Sequence, residues 1–402
     1  MENKRYYWCV ILILLLIQCF GVTYLSPHFL YYLFVPVVLL FVLKQRGSVF
    51  GYKRLLYFYF VCILFSCIYS FLYNQQNLLK TFVASYDFFG ILSVFMILNY
   101  RLSYQQTTKL IKFIGILFCC CYILQWVIYP YVIFAGASDE VNISSSFFRM
   151  RMSGSIASFC LYFYGLNKFL LDRKLKNVFF MILGFFPIII MGFRSLTTLT
   201  LVSTFFLIAI VVKDVKKIFL FVGYLFIIGM LSSNIPVVEE KINEMLNRHE
   251  SNQSFSNEDY IRYAELDFFQ NEVFVKPLER FVGGGMPVFD NNVSHSKYVS
   301  IMKKAYDYDF YWVDLGIVGL SFIIGIPAVL LLVIIILRCA ILCKDRELQY
   351  IRFTLLVVLL GSLFTSKELF RTGNMVIIGI FLYLEYIRNK ELKLKLLDEK
   401  SK

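Results

Sequence analysis

Apolar runs close to the length of a bilayer crossing recur along almost the whole chain, and this constrains the fold more than any motif. Hydrocarbon offers no partner for backbone N–H and C=O groups, so a crossing segment must be a helix or part of a closed barrel. A helix needs roughly 20 apolar residues for the crossing. The runs here are continuous rather than alternating, which selects helices. They cover Tyr6 to Tyr24, Phe29 to Leu43, Leu55 to Tyr73, Phe82 to Leu98, Phe113 to Ile133, Ser153 to Leu171, Val178 to Gly192, Leu196 to Val212, Ile218 to Ile235, Trp312 to Leu337, Ile351 to Phe364 and Met375 to Leu384. The first run follows Lys4 and Arg5 like a secretory signal, but no small-residue cleavage site follows it, so it reads as a span.

Composition agrees with that reading. Of 402 residues, 59% are hydrophobic and 18% aromatic, and the mean hydropathy is +0.69. The expected fold is an all-α polytopic membrane protein with about 12 transmembrane helices. One membrane domain covers 1–402, with a large, partly helical extracytoplasmic loop at 232–310 embedded between the ninth and tenth spans. The ten cysteines fall in spans or at their edges without a C-x-x-C pair, so packing explains them better than disulfides or a metal.

Basic residues sort by parity of the connecting loops. Lys4, Arg5, Lys44, Arg46, Lys53, Arg54, Arg101, Lys109, Lys112, Arg173, Lys174, Lys176, Lys213, Lys216, Lys217, Arg338, Lys344, Arg346, Arg352 and the tail from Arg388 all fall on one side. The positive-inside rule makes that side cytoplasmic and places both termini there. The formal charge of +13 is spread in short clusters flanking apolar runs. Such clusters are topology signals that touch anionic lipid, not a nucleic-acid stripe interleaved with aromatics.

The 232–310 loop is therefore expected on the outer face, and it is no disordered tether. Apolar residues recur in it at spacings near three and four: Val237, Val238, Ile242, Met245 and Leu246, then Tyr260, Ile261, Ala264 and Phe268, then Tyr298, Ile301, Met302 and Ala305. Short helices forming a folded cap are expected. The same face collects the histidines His28, His249 and His295 and a set of arginines.

Arg194, in "GFRSLTTLT", sits between two spans with hardly any loop, where an arginine costs roughly 2.5 to 3.5 kcal/mol on insertion scales. A carboxylate or phosphate would offset that cost, as would snorkelling or a pair with Asp87 or Glu368. Arg149 and Arg151, in "FFRMRMSGS", pose the same question. The glycines Gly283, Gly284 and Gly285 are not a Walker loop, because no Lys-Ser or Lys-Thr follows; they suit a tight turn or a close backbone approach. His295 is a candidate general base, with Asp307, Asp309 and Asp314 as competitors.

In order and sidedness these elements resemble the bacterial O-antigen polymerase and ligase family, of the Wzy and WaaL type. "RMSGSIAS" at 151–158, "GFRSLTT" at 192–198, "DYIRYAEL" at 259–266, "PLERFVGGGMP" at 277–287, "HSKYV" at 295–299 and "DLGIVGL" at 314–320 carry the likeness. The resemblance implies a metal-independent, inverting transfer of a growing glycan. The donor is glycan on undecaprenyl pyrophosphate and the acceptor a lipid-linked repeat unit. The reaction runs at the outer leaflet of the bacterial cytoplasmic membrane, without a cofactor, in O-antigen or capsule assembly. It puts Arg151, Arg194, Arg262 and Arg280 at the pyrophosphate and His295, Asp307 or Asp309 at the acceptor hydroxyl. A chain-length-regulating co-polymerase is a further implied partner; nucleic acid is not. One departure is Ser296, where the family has asparagine, and the insertion "SIMKKAYDYDFYWV" behind it, which favours the aspartates over His295. The ligase reaction differs only in its acceptor. A flippase or transporter would spread its polar residues along a midplane path, and a scaffold or receptor would tolerate loss of single arginines.

Overall fold

The computed structural model describes residues 2–17, 29–45, 50–129, 131–134, 152, 154–191, 194–212, 255–289, 296–363, 365 and 370–400. Helices and their connecting turns account for these residues, and no strand occurs among them. In chain order the helices are α1 (Glu2–Ile17), α2 (Phe29–Lys44), α3 (Lys53–Asn74), α4 (Leu78–Ala84), α5 (Tyr86–Phe89), α6 (Val94–Tyr100), α7 (Tyr104–Val127), α8 (Ile156–Asp172), α9 (Leu175–Met191), α10 (Arg194–Val212), α11 (Phe255–Phe268), α12 (Pro277–Val282), α13 (Lys297–Asp307), α14 (Gly316–Ile324), α15 (Ile326–Leu342), α16 (Gln349–Ser362) and α17 (Thr372–Lys400). The expected run Ile218 to Ile235, the apolar patch from Val237 to Leu246, His28 and His249 lie outside the described residues.

Helices α3 and α7 and the stretch Ser195–Val212 of α10 are long and apolar enough to cross a membrane. Leu78–Ala84 and Tyr86–Tyr100 make a fourth crossing if the pair, bent by 56°, is one span. Shorter apolar helices, Leu175–Met191, Trp312–Ile324 and Ile326–Leu342, stand beside them. On α3 the exposed side chains Phe58, Val61, Phe65, Ile68 and Leu72 recur every three or four residues, an apolar stripe turned away from the core. Such a stripe is stable against lipid and not against water. The chain is a helical membrane-associated protein.

Two expected spans are interrupted, each for a local reason. The Ser85 hydroxyl donates to the Thr81 carbonyl at 2.9 Å, competing with the helix ladder where α4 bends into α5. Trp312 to Leu337, expected as one continuous span, breaks at Gly325, whose φ is +86°. Pro327 follows, and lacking an N–H it leaves the Ile323 carbonyl without its helical donor.

At the centre runs α17, whose residues from Thr372 to Glu385 are buried on every side. The Asp87 carboxylate accepts from the Thr372 N–H at 2.9 Å and from the Thr372 hydroxyl, closing the N-terminus of α17. Asn374, two residues further on, accepts from the Ile156 N–H at 2.9 Å and donates to the Ser155 hydroxyl at 3.2 Å, so it caps α8. Asp87, considered above as a partner for Arg194, therefore serves a helix end.

Glycines let two helices meet backbone to backbone. A Cβ at Gly184 would stand 2.5 Å from the Tyr162 nitrogen, and one at Gly165 would stand 2.5 Å from the Met181 nitrogen. The backbones of α8 and α9 thus touch, as small residues allow between membrane helices. Gly184→Ala must push these helices apart, and a loss of about 1–3 kcal/mol is expected from overpacking. A thermal melt of the purified protein measures it, and Gly51→Ala, whose added Cβ would meet only the Arg338 guanidinium at 3.6 Å, provides the comparison.

Candidate functional site

At the end of the bundle where α3 finishes, the described part of the loop folds back as α11, α12 and α13 and docks through the glycine triplet. Each of the three glycine N–H groups is already used: Gly283 donates to Glu279 O at 2.7 Å, Gly284 to Phe322 O at 2.8 Å and Gly285 to Ile323 O at 3.0 Å. The last two acceptors are carbonyls set free by the break at Gly325. Ser66 of α3 adds a second donor to Ile323 O at 2.7 Å. A Cβ at Gly283 would lie 2.4 Å from the Gly325 nitrogen, and one at Gly325 would lie 2.3 Å from Val282 O, so the two chains cross backbone against backbone. The triplet is a clamp, and its N–H groups are not available to a phosphate.

The end of α3 secures the other side of that clamp. Asn74 donates to Gly284 O at 3.1 Å, and Gln76 accepts from the Val288 N–H at 3.0 Å. Tyr298 of α13 donates to Gly285 O at 2.8 Å. Ser296 caps α13 by accepting from the Val299 N–H at 3.3 Å, and its hydroxyl also donates to the Asn74 carbonyl. Ser296 is therefore a fastening between cap and bundle.

Against this hub lies a cavity of about 450 Å³. Tyr69 and Tyr73 line it, their rings stacked with centroids 4.6 Å apart. Lys276, Glu279 and Lys297 contribute charge to it. Glu279 is buried, and burial pushes its carboxyl up, partly offset by a hydrogen bond from Asn74 and by the Lys276 charge. An aromatic wall with charged and polar tips suits a ligand having both an apolar face and hydroxyl or anionic groups.

A second buried acid sits in α11. Glu265 is 3% exposed; one carboxylate oxygen accepts from the Tyr311 N–H at 3.3 Å, and the other has no hydrogen-bond partner among the described residues. Burial, with the Asp314 charge nearby, pushes its carboxyl up to about 7, while the Tyr311 N–H and Arg262 act the other way. A carboxyl held near neutrality suits proton transfer.

The residues expected from sequence fall in different places. Arg262, one turn before Glu265, is exposed. Arg280 donates to Phe274 O and Gln270 O, each at 2.7 Å, and so staples the π-helical turn behind α11. Asp307 ends α13, exposed. Asp309 is also exposed, in a left-handed turn with φ +58°, and accepts from the Tyr311 hydroxyl at 3.2 Å. The backbone of Arg194 starts α10. Arg149, Arg151, His295, Glu368 and the side chain of Arg194 lie outside the described residues. In the sequence Glu265 and Glu279 look like surface glutamates, because only burial distinguishes them. The polar run "YNQQN" at 73–77, at the end of an apolar helix, was a visible sign of the hub.

No family model, no curated protein and no solved structure matches this chain.

Removing one clamp donor tests the docking. Asn74→Ala leaves Gly284 O without that bond, at a cost of about 1–3 kcal/mol for a buried carbonyl, and proteolysis within 274–289 should become faster. For Glu265 the folded value, about 7, lies above the ordinary 4.5. The folded state therefore binds the extra proton, and stability is greatest below pH 4.5 and falls as pH rises through about 7. Glu265→Gln should flatten that part of a melting-temperature profile.

Proposed function

We propose that the protein is a polysaccharide polymerase of the outer leaflet of a bacterial cytoplasmic membrane. It transfers a growing glycan from undecaprenyl pyrophosphate to a lipid-linked repeat unit. The observation that carries this reading is the cap docked on an apolar helical bundle, with an aromatic and charged cavity against it and a near-neutral buried acid in α11. About 12 spans, both termini in the cytoplasm and the capped end outward complete the arrangement, and the parity of the basic loops supports it.

In the reaction the acceptor hydroxyl oxygen attacks the anomeric carbon as the bond to the pyrophosphate oxygen breaks. The leaving electron pair stays on the lipid pyrophosphate, and the carbon inverts. Glu265, as carboxylate, takes the hydroxyl proton; His295, Asp307 and Asp309 compete for that role. Arg262, with Arg151 and Arg194, holds the anionic leaving group, where fixed positive charge lowers the transition state more than the ground state. The Tyr69–Tyr73 wall receives sugar, its rings against the C–H face and Glu279 and Lys297 at the hydroxyls.

Purified full-length protein given a lipid-linked repeat unit should produce a ladder of polymer. Glu265→Gln should lower the rate about 10²–10⁴-fold, the usual contribution of a general base. It should also remove the limb that rises with pH through about 7. Arg262→Ala and Arg194→Ala should abolish long chains while protein level and insertion stay normal. Wild-type chain lengths in both arginine variants would defeat the reading. Capture of glycan on a different acceptor would redirect it to the ligase reaction.

A further inference from the structure

A second cavity, of about 720 Å³, opens where the starts of α7 and α16 meet the second half of α17. It lies at the opposite end of the molecule from the cap. A Cβ at Gly316, beside the cap, would touch the carbonyls of Ser362 and Leu363 at the end of α16, whereas Tyr350 at the start of α16 lines this cavity. The 14 residues of α16 separate the two by about 20 Å at 1.5 Å per residue.

The lining is strongly cationic. Lys109, Lys112, Lys168, Lys395 and Arg388 face two carboxylates, Glu347 and Glu391. Arg388 is largely committed: it pairs with Asp345 at 2.5 Å and Glu347 at 3.4 Å, and its guanidinium lies 4.9 Å from the Tyr104 ring centroid. Lys168 pairs with Glu347 at 3.6 Å. Lys109 and Lys395 have no carboxylate partner among the described residues. The acids are thus taken up by Arg388 and Lys168, and the remaining lysines leave uncompensated positive charge.

Two neutral features point the same way. The capping box of α7 uses the N–H groups of Ser103 and Gln106, which leaves those of Tyr104 and Gln105, the first helical residues, without intrahelical acceptors at a cationic helix end. The Tyr350 hydroxyl is fully buried with no hydrogen-bond partner. A buried donor without an acceptor is unfavourable unless a ligand supplies one.

We propose that this cavity binds a phosphate group, with Lys109, Lys112 and Lys395 as its cationic contacts and the Tyr350 hydroxyl and α7 N-terminus as neutral donors. Phosphate offers several acceptor oxygens on one anion, which matches unsatisfied donors converging from three helices. Its source is an anionic phospholipid headgroup or a soluble phosphate. The site is separate from the proposed polymerase chemistry.

The test is native mass spectrometry of the detergent-solubilised full chain, with phosphatidylglycerol, phosphatidylcholine or inorganic phosphate added separately. Retention of phosphatidylglycerol above phosphatidylcholine identifies a lipid headgroup, retention of inorganic phosphate alone identifies a soluble ligand, and retention of neither overturns the proposal. Lys109→Ala with Lys395→Ala should weaken retention about 30-fold, from roughly 1 kcal/mol per basic residue. Tyr350→Phe should leave the ligand-free melting temperature unchanged or higher while reducing the ligand-induced rise. Lys174→Ala, on the same end but outside the cavity, should change neither. Equal losses from Lys174→Ala and the double variant would mean diffuse surface attraction and overturn the proposal, as would wild-type retention in both cavity variants.

Discussion

Backbone polar groups away from water must find partners, and one place where a helix fails to provide them organises the capped end. The break at Gly325 and Pro327 strips the carbonyls of Phe322 and Ile323 of helical donors. Gly284, Gly285 and Ser66 replace those donors. Only chains without a Cβ approach closely enough, since a methyl at Gly283 or Gly325 would overlap the opposite backbone. The loop is therefore part of the bundle's hydrogen-bond completion, and this anchors a polar cap on an apolar body.

From this anchor the site acquires its geometry. Asn74, Gln76 and Ser296 bind the clamp to the end of α3, which fixes the Tyr69–Tyr73 wall relative to α12 and α13. Through Tyr311 the same cap holds Glu265 out of water, and the lost hydration drives its carboxyl toward neutrality. The transferase reading draws on both features, the charged aromatic cavity beside α12 and α13 and the tuned acid in α11. The opposite end has a different character, with Arg388 gathering Asp345 and Glu347 and lysines left over around a buried tyrosine hydroxyl.

Helix positions were legible because apolar length and flanking charge are local properties. Stretches such as Leu55 to Tyr73 and Leu196 to Val212 fall within α3 and α10 and cover nearly all of each. In the loop, spacings near three and four correctly placed helical turns around Phe268 and Tyr298. The start of α7 came earlier than Phe113 because Ser103 and Gln106 form a capping box ahead of the apolar run. The break at Gly325 is marked by "GIP", although the apolar residues on both sides read as one continuous span.

By itself the amino-acid order determined that the chain is helical and membrane-associated, that its glycines belong in close approaches and that its positives gather in short clusters. These follow from transfer energies and steric freedom, which each residue carries wherever it stands. Which groups share a cavity was decided only in three dimensions. Glu265 and Glu272 are equivalent letters seven positions apart, yet one is buried beneath Tyr311 and the other exposed. Arg280 and Arg262 likewise part ways, one stapling carbonyls and the other free to meet solvent. Burial and partner choice are properties of packing between segments distant in the chain, and no local pattern encodes them.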